Sequence, residues 1–363
     1  MSSFDKLYIR PAITTDVKHR SECIPYYDAY YSNEVGDWLL GGAHLPIFVA
    51  PMSSVIDDKN YLKFDGEGLN PIIPRTVSFE KRLKIMEDMV WIAVSLDEMD
   101  WIYNNYQRFN NEVYICVDLA NGHMQCLLDL CKKCKLKFGS NLNLMTGNIA
   151  NPNTYIEYAK AGIDYCRCCI GSGSECLTGT ITGIGQDYWH FIPALKLRKD
   201  RVITDFDKAD EYLSIPKIVI DGGMSSIRDM IIALALGADY VMCGKIFAKC
   251  KEACGEIYEK LLPIQNEEIC DSCIPKRIVK SFPKMEWIRG RMYYGMSTER
   301  AQKEMGNSKI KPAEGKQEWV PIEYTLSEWV NKFVAAISST MSYCNATQLG
   351  QFIGHASVFK RDL

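Results

Sequence analysis

Short apolar runs rich in β-branched residues recur along the chain, each followed by a polar or amphipathic stretch of helical length. They occupy positions 47–50, 71–74, 90–95, 113–119, 142–146, 163–168, 217–221 and 240–243. Runs of this kind, apolar on both faces, are what a buried parallel sheet requires. The intervening stretches include 79–89, with Leu83, Ile85, Met86 and Met89 on its apolar side, and 226–236, which follows Asp221-Gly222-Gly223. Eight strand-plus-helix units predict an α/β chain folded as one (β/α)8 barrel. A doubly wound sheet also alternates strand and helix, so the count alone does not decide between the two.

The polar residues strengthen the barrel reading, because barrel chemistry sits at the carboxyl ends of the strands. Asp118 ends the fourth run, and Gly147 and Asn148 follow the fifth. A glycine-rich loop holding Cys176 follows the sixth, Asp221-Gly222-Gly223 ends the seventh, and Gly244-Lys245 ends the eighth. No internal repeat or low-complexity linker divides the chain, so 1–363 reads as a single catalytic domain. Two stretches, 198–216 and 265–283, read as irregular surface insertions.

Composition narrows the function. A chain of 363 residues that is 47% hydrophobic and 24% charged can bury a large core. The net charge of −3 and scattered Lys and Arg residues give no nucleic-acid footprint, and no run approaches membrane-spanning length. These features predict a soluble, cytoplasmic protein acting on a small molecule. Fifteen cysteines without a secretion signal predict free thiols in a reducing compartment. Cys250, Cys254, Cys270 and Cys273 have a spacing open to a four-thiolate zinc site, but zinc pairs favour tight turns and the first two fall in an expected helix.

Residues 171–180 read Gly-Ser-Gly-Ser-Glu-Cys-Leu-Thr-Gly-Thr. Small residues let such a backbone curl, and a nest of N–H groups would stabilise a thiolate at Cys176. The alternative is an inert buried thiol. Phosphate would be held where glycine leaves backbone N–H groups open, at Gly222-Gly223 and Gly244, with Ser174, Lys245 and Tyr293 as side-chain donors. No G-x-G-x-x-G motif stands between a strand and a helix, so a Rossmann module is not implied.

Together these motifs resemble the inosine-monophosphate dehydrogenase and guanosine-monophosphate reductase family. The resemblance runs through Val17-Lys-His-Arg-Ser21, Ala50-Pro-Met-Ser-Ser-Val55, Val117-Asp-Leu-Ala-Asn-Gly122, the cysteine loop and Asp221-Gly-Gly-Met-Ser225. It continues in Gly237-Ala-Asp239, Tyr294-Gly-Met-Ser297 and Ala313-Glu-Gly315. It implies a TIM barrel, here without the inserted CBS regulatory modules of many dehydrogenases, and assembly as a homotetramer. No Arg-Tyr pair of the water-activating kind stands between Tyr294 and Glu314, so the chain is more similar to the reductases.

The implied reaction is attack of Cys176 on C2 of guanosine monophosphate, release of ammonia and reduction by NADPH to inosine monophosphate. Thr178 and Glu314 would deliver protons, Asp221 would accept from ribose hydroxyls, and Gly295, Met296 and Ser297 would face the purine with Met52 packed against it. Ser95, Asp118, Asn121 and Gly122 would lie along the cofactor. Carbonyls of Gly171, Gly173 and Cys176 would hold a monovalent cation such as potassium, and 294–320 would be a mobile active-site segment. Each residue has a plainer reading. Thr178 could cap a turn, Glu314 could be a solvated charge, Met52 could be core, Asp221 could cap a helix and Asp118 could brace a loop.

The chain departs from the family pattern in carrying Leu177-Thr178-Gly179 where Thr-Thr-Arg is usual, and Cys169, Ser172, Lys311 and Ser338 where the family has Gly, Pro and two Arg. Arg75 keeps the basic residue expected near the nucleophile. The rival readings are an IMP dehydrogenase using NAD and water, an FMN-dependent barrel, and a nucleotide-binding barrel without catalysis.

Overall fold

Eight short parallel strands close into a barrel in the computed structural model, which describes residues 4–32, 37–39, 42–172, 177–206, 211–263, 285–306 and 315–361. The strands are β1 (Ile47–Val49), β2 (Asn70–Ile73), β3 (Trp91–Val94), β4 (Val113–Asp118), β5 (Leu142–Ile149), β6 (Tyr165–Cys168), β7 (Lys217–Asp221) and β8 (Tyr240–Cys243). β8 pairs in parallel with β1 and closes the ring. All eight coincide with the apolar runs; β5 alone runs on, to Ile149.

Successive residues of each strand face opposite ways, which separates two cores. Ile47, Val49, Ile73, Ile92, Val94, Ile115, Val117, Ile218, Ile220 and Val241 join the helices in the outer core. Phe48, Ala50, Ile72, Trp91, Ala93, Cys116, Met145, Val219, Tyr240 and Met242 fill the barrel. At the amino ends the filling is aromatic, with Phe48 edge-on to Trp91 at 5.4 Å and Trp91 edge-on to Tyr165 at 5.0 Å. Two residues further along, the same inward face carries Asp118 after Cys116, Arg167 after Tyr165 and Asp221 after Val219. The interior therefore changes from an apolar floor to a charged mouth.

The helices that cover the barrel include α1 (Phe79–Met86), α2 (Leu96–Asn105), α3 (Gln125–Phe138), α4 (Thr154–Ala161), α5 (Tyr188–Asp205) and α6 (Ile227–Leu236). Ser226 caps α6 and Ser95 caps α2, each in a box with an acidic residue three places on. Met89, expected on the apolar side of α1, lies beyond its end and is 59% exposed. The stretch expected to be irregular from 198 is instead helical as far as Asp205, because α5 buries Leu195 and Val202 on one side.

Three further strands, β9 (Ile257–Pro263), β10 (Met285–Tyr294) and β11 (Gln317–Pro321), make an antiparallel sheet, and α7 (Glu299–Glu304) follows β10. The expected insertion at 265–283 lies outside the described residues, as do Cys270 and Cys273. Cys250 and Cys254 are not helical, since the helix before them, Lys245–Ala248, has ended. Among the described residues no group of three or more His, Cys, Asp or Glu side chains is placed to hold a metal, and no helix is long and apolar enough to cross a membrane.

Candidate active site

A chain of alternating charges crosses the carboxyl mouth of the barrel. Asp118, the last residue of β4, accepts from Arg167 Nη1 at 2.7 Å and from Arg75 Nε at 3.3 Å. Arg167, rising from β6, donates through Nη2 to Asp221 Oδ2 at 2.8 Å, and Asn148 Nδ2 reaches the same oxygen at 2.8 Å. Burial pushes the Asp118 carboxyl up, but the two guanidinium groups outweigh it and hold the pKa below its ordinary value. Burial likewise disfavours the charge on Arg167, and Asp221, Cys116 and Asp118 more than restore it. Asp118 and Arg167 thus hold each other in the charged form at the mouth. Gly147 makes room for it, since a Cβ there would collide with the backbone of Arg167.

Asp221 does not cap a helix, because Ser226 takes that role with its Oγ 3.2 Å from the Asp229 N–H. Its carboxylate is instead aimed across the mouth. Among the described residues, Oδ1 has no hydrogen-bond partner, which leaves it acceptor capacity. Asp118 braces the loop after β2 through Arg75, the plainer reading, and also bonds Arg167 on the inward face of β6.

Beside Asp221, at the ends of β7 and β8, lies a cavity of about 660 Å³ lined by Ser172, Gly222, Gly223, Gly244, Lys245 and Tyr293 among others. Gly222 and Gly223 have φ of +80° and +77°, a backbone that favours glycine. A Cβ on Gly223 would also strike the Tyr188 hydroxyl, which donates to the Gly222 carbonyl at 2.9 Å. Met52, Gly244 and Tyr293 meet here: the Tyr293 hydroxyl is 3.2 Å from Met52 Sδ, and a Cβ on Gly244 would lie 2.6 Å from both atoms. Lys245 forms an ion pair with Glu318 at 2.6 Å. The ends of strands seven and eight are where barrels commonly bind phosphate.

Gly295, Met296 and Ser297 form the turn between β10 and α7. Thr298 Oγ1 donates to the Gly295 carbonyl at 2.7 Å, Gln302 Nε2 to the Ser297 carbonyl at 3.2 Å, and Gly315 packs beside Ser297. On the β4 side, Gly122 N–H bonds to Asn148 O at 2.9 Å, and Asn121 Oδ1 accepts from His123 N at 3.0 Å. Ser95 Oγ accepts from Glu98 N at 3.1 Å, so this side chain serves α2 as its cap. Thr178 opens the short helix Thr178–Thr182, and Gly171 packs against Gly179, a Cβ on it falling 2.6 Å from Gly179 N. Cys176, Gly173, Ser174 and Glu314 lie outside the described residues.

Arg167 carries no role in the sequence reading, yet it joins the two carboxylates, while Asn148, expected only as a polar residue at the carboxyl end of the fifth run, supports Asp221. The available signal was a cation inside an otherwise apolar strand, where charge is rare unless paired.

The family model described as the IMP dehydrogenase / GMP reductase domain matches residues 93–361. A GMP reductase of Clostridium acetobutylicum is 29% identical over 224 residues, 60% of this chain and 64% of that one. An inosine-5'-monophosphate dehydrogenase of Chlorobaculum parvum is 30% identical over 239 residues, 65% of this chain and 42% of the relative. A GMP reductase of Bacillus cereus is 25% identical over 315 residues, 84% of this chain and 82% of the relative. The chain thus spans less than two thirds of the first two relatives and most of the third.

Proposed function

The chain belongs to the IMP dehydrogenase / GMP reductase domain family, and from that premise we propose that it reduces guanosine monophosphate to inosine monophosphate with NADPH, releasing ammonia. The observation that carries this reading is the placement of Asp221, whose Oδ1 has no hydrogen-bond partner among the described residues, between the glycine-lined cavity and the Arg167–Asp118 chain. A nucleotide needs that combination: backbone donors for its phosphate and a fixed carboxylate for its ribose.

In the proposed mechanism Cys176 attacks C2 of the purine as a thiolate. The exocyclic amine takes a proton through Thr178 and Glu314 and leaves as ammonia, so the C2–S bond replaces the C2–N bond. NADPH, held along Asp118, Asn121 and Gly122, would supply the hydride that reduces C2 as the Cys176 sulfur departs as thiolate. Asp118 suits that cofactor's ribose, since its carboxylate keeps acceptor sites beyond those taken by Arg75 and Arg167. Asn121 and Gly122 shape the turn beside it. Gly171 is the one described member of the proposed potassium-binding carbonyl set.

Mixing the protein with guanosine monophosphate and NADPH tests the reading by following cofactor oxidation and ammonia together. We expect equimolar amounts. Production of xanthosine monophosphate from inosine monophosphate and NAD would reassign the chain to the dehydrogenase reaction, and tight nucleotide binding without turnover would make it a binding protein. Cys176→Ser should abolish turnover while nucleotide affinity stays within about threefold.

A further inference from the structure

The turn at 295–297 is tied to the barrel through one carboxylate that the mechanism does not use. Glu304, the last residue of α7, accepts from the Tyr294 hydroxyl at 2.9 and 3.0 Å through its two oxygens. It also accepts from Ser53 Oγ at 2.9 Å and from Arg300 Nε at 3.1 Å. Tyr294 stands directly before the turn, Glu304 ends the helix directly after it, and Ser53 follows Met52 in the β1 loop. Arg300 lies over the Tyr294 ring at 4.7 Å and reaches Glu256, at the edge of β9, at 3.6 Å. Both ends of the turn thereby meet at Glu304, and Glu304 meets the barrel beside Met52.

We propose that Glu304 is a positioning residue for base recognition, holding the Gly295–Ser297 turn at a set distance from Met52 so that a purine fits between them. This assignment rests on the purine-nucleotide reading above. Tyr293 and Tyr294 face opposite ways on β10, and each contacts the β1 loop, one at Met52 and one at Ser53. The second contact is direct, and Glu304 braces it by accepting from both Tyr294 and Ser53; the first does not involve Glu304. The phosphate end of the site does not depend on it, since Gly222, Gly223 and Gly244 are set by the barrel strands themselves. Loss of the Glu304 carboxylate should therefore weaken contacts to the base and spare those to the phosphate.

Titration calorimetry with two probes, guanosine monophosphate and ribose 5-phosphate, separates these contributions. Glu304→Ala should weaken nucleotide binding by about tenfold to a hundredfold, the range for lost charge-assisted hydrogen bonds, and leave ribose 5-phosphate within about twofold. Glu304→Gln, which keeps an acceptor, should recover part of the affinity. Tyr294→Phe should weaken nucleotide binding alone but add little in the Glu304→Ala background, because the two act as one unit. Unchanged nucleotide affinity in Glu304→Ala, or equal loss for both probes, overturns the assignment while the wild-type protein still binds nucleotide. A wild-type protein that binds neither probe overturns the functional reading itself, and this assignment with it.

Discussion

Arg167 shows how much one buried cation can organise. It is 7% exposed and lies between two carboxylates, so removing it leaves like charges facing each other across the mouth. Arg167→Met is expected to lower unfolding free energy by about 3–5 kcal/mol, measured by urea titration, because Asp221 loses its cation and Asp118 keeps Arg75 alone. A change below about 1 kcal/mol would mean that the chain of charges is not a unit. Asp118 adds a pH test. Its folded pKa is depressed, so its stabilisation is complete above the ordinary carboxylate value near ~4 and is lost as pH falls through the folded value. The melting temperatures of wild type and Asp118→Asn should differ at neutral pH and converge in acid. Both carboxylates were legible in the sequence because each ends an apolar run. Arg167 was not, because a run of letters does not show that positions 118, 167 and 221 share the inward face.

At the level of elements, close approach of backbones decides where glycine is required. A Cβ on Gly122 would strike the Tyr158 hydroxyl and come within 2.9 Å of the Gly147 backbone, whereas one on Gly139 would meet nothing within 4 Å. Gly139 has φ of +61° and so carries conformational strain alone. Gly122→Ala should cost about 1–3 kcal/mol by overpacking and raise the KM for NADPH, while Gly139→Ala should cost about 1 kcal/mol and leave that KM unchanged. Thermal melts with steady-state kinetics on both variants check the contrast. The strands were readable because burial on both faces makes each a continuous apolar run. α5 was only half read: its buried Leu195 and Val202 stand far apart, and Leu197 and Ile203 are 63% and 49% exposed, which blurs the helical period over its second half. The expected helix around Cys250 failed for a different reason. Its apolar residues continue the pattern of Ile246 and Phe247, but the chain turns after Ala248 to pair with the segment near Tyr324.

Across the whole molecule the barrel interior is divided by polarity along its axis, and that division was implicit in the sequence once the strands were set. Alternate residues of β1, β3, β6 and β8 put Phe48, Trp91, Tyr165 and Tyr240 at the amino ends, where their rings pack together. Alternate residues of β4, β6 and β7 put Asp118, Arg167 and Asp221 at the other end. The floor contributes burial; the mouth contributes charge and glycine at some cost in packing. Stability and nucleotide recognition should therefore respond to different substitutions, as a barrel that separates scaffold from site requires. Trp91, 6% exposed, is the test at the floor. Trp91→Ala should cost about 3–5 kcal/mol through the cavity it leaves, with the KM for guanosine monophosphate within about twofold in protein that remains folded at low temperature. Trp91→Phe, which keeps most of the packing, should cost less and preserve the same KM. Asp221→Ala should do the opposite, raising that KM at least about tenfold while shifting stability less than Trp91→Ala. If Trp91→Phe raised the nucleotide KM as far as Asp221→Ala does, floor and mouth would be one cooperative unit, and the axial division of labour would be wrong.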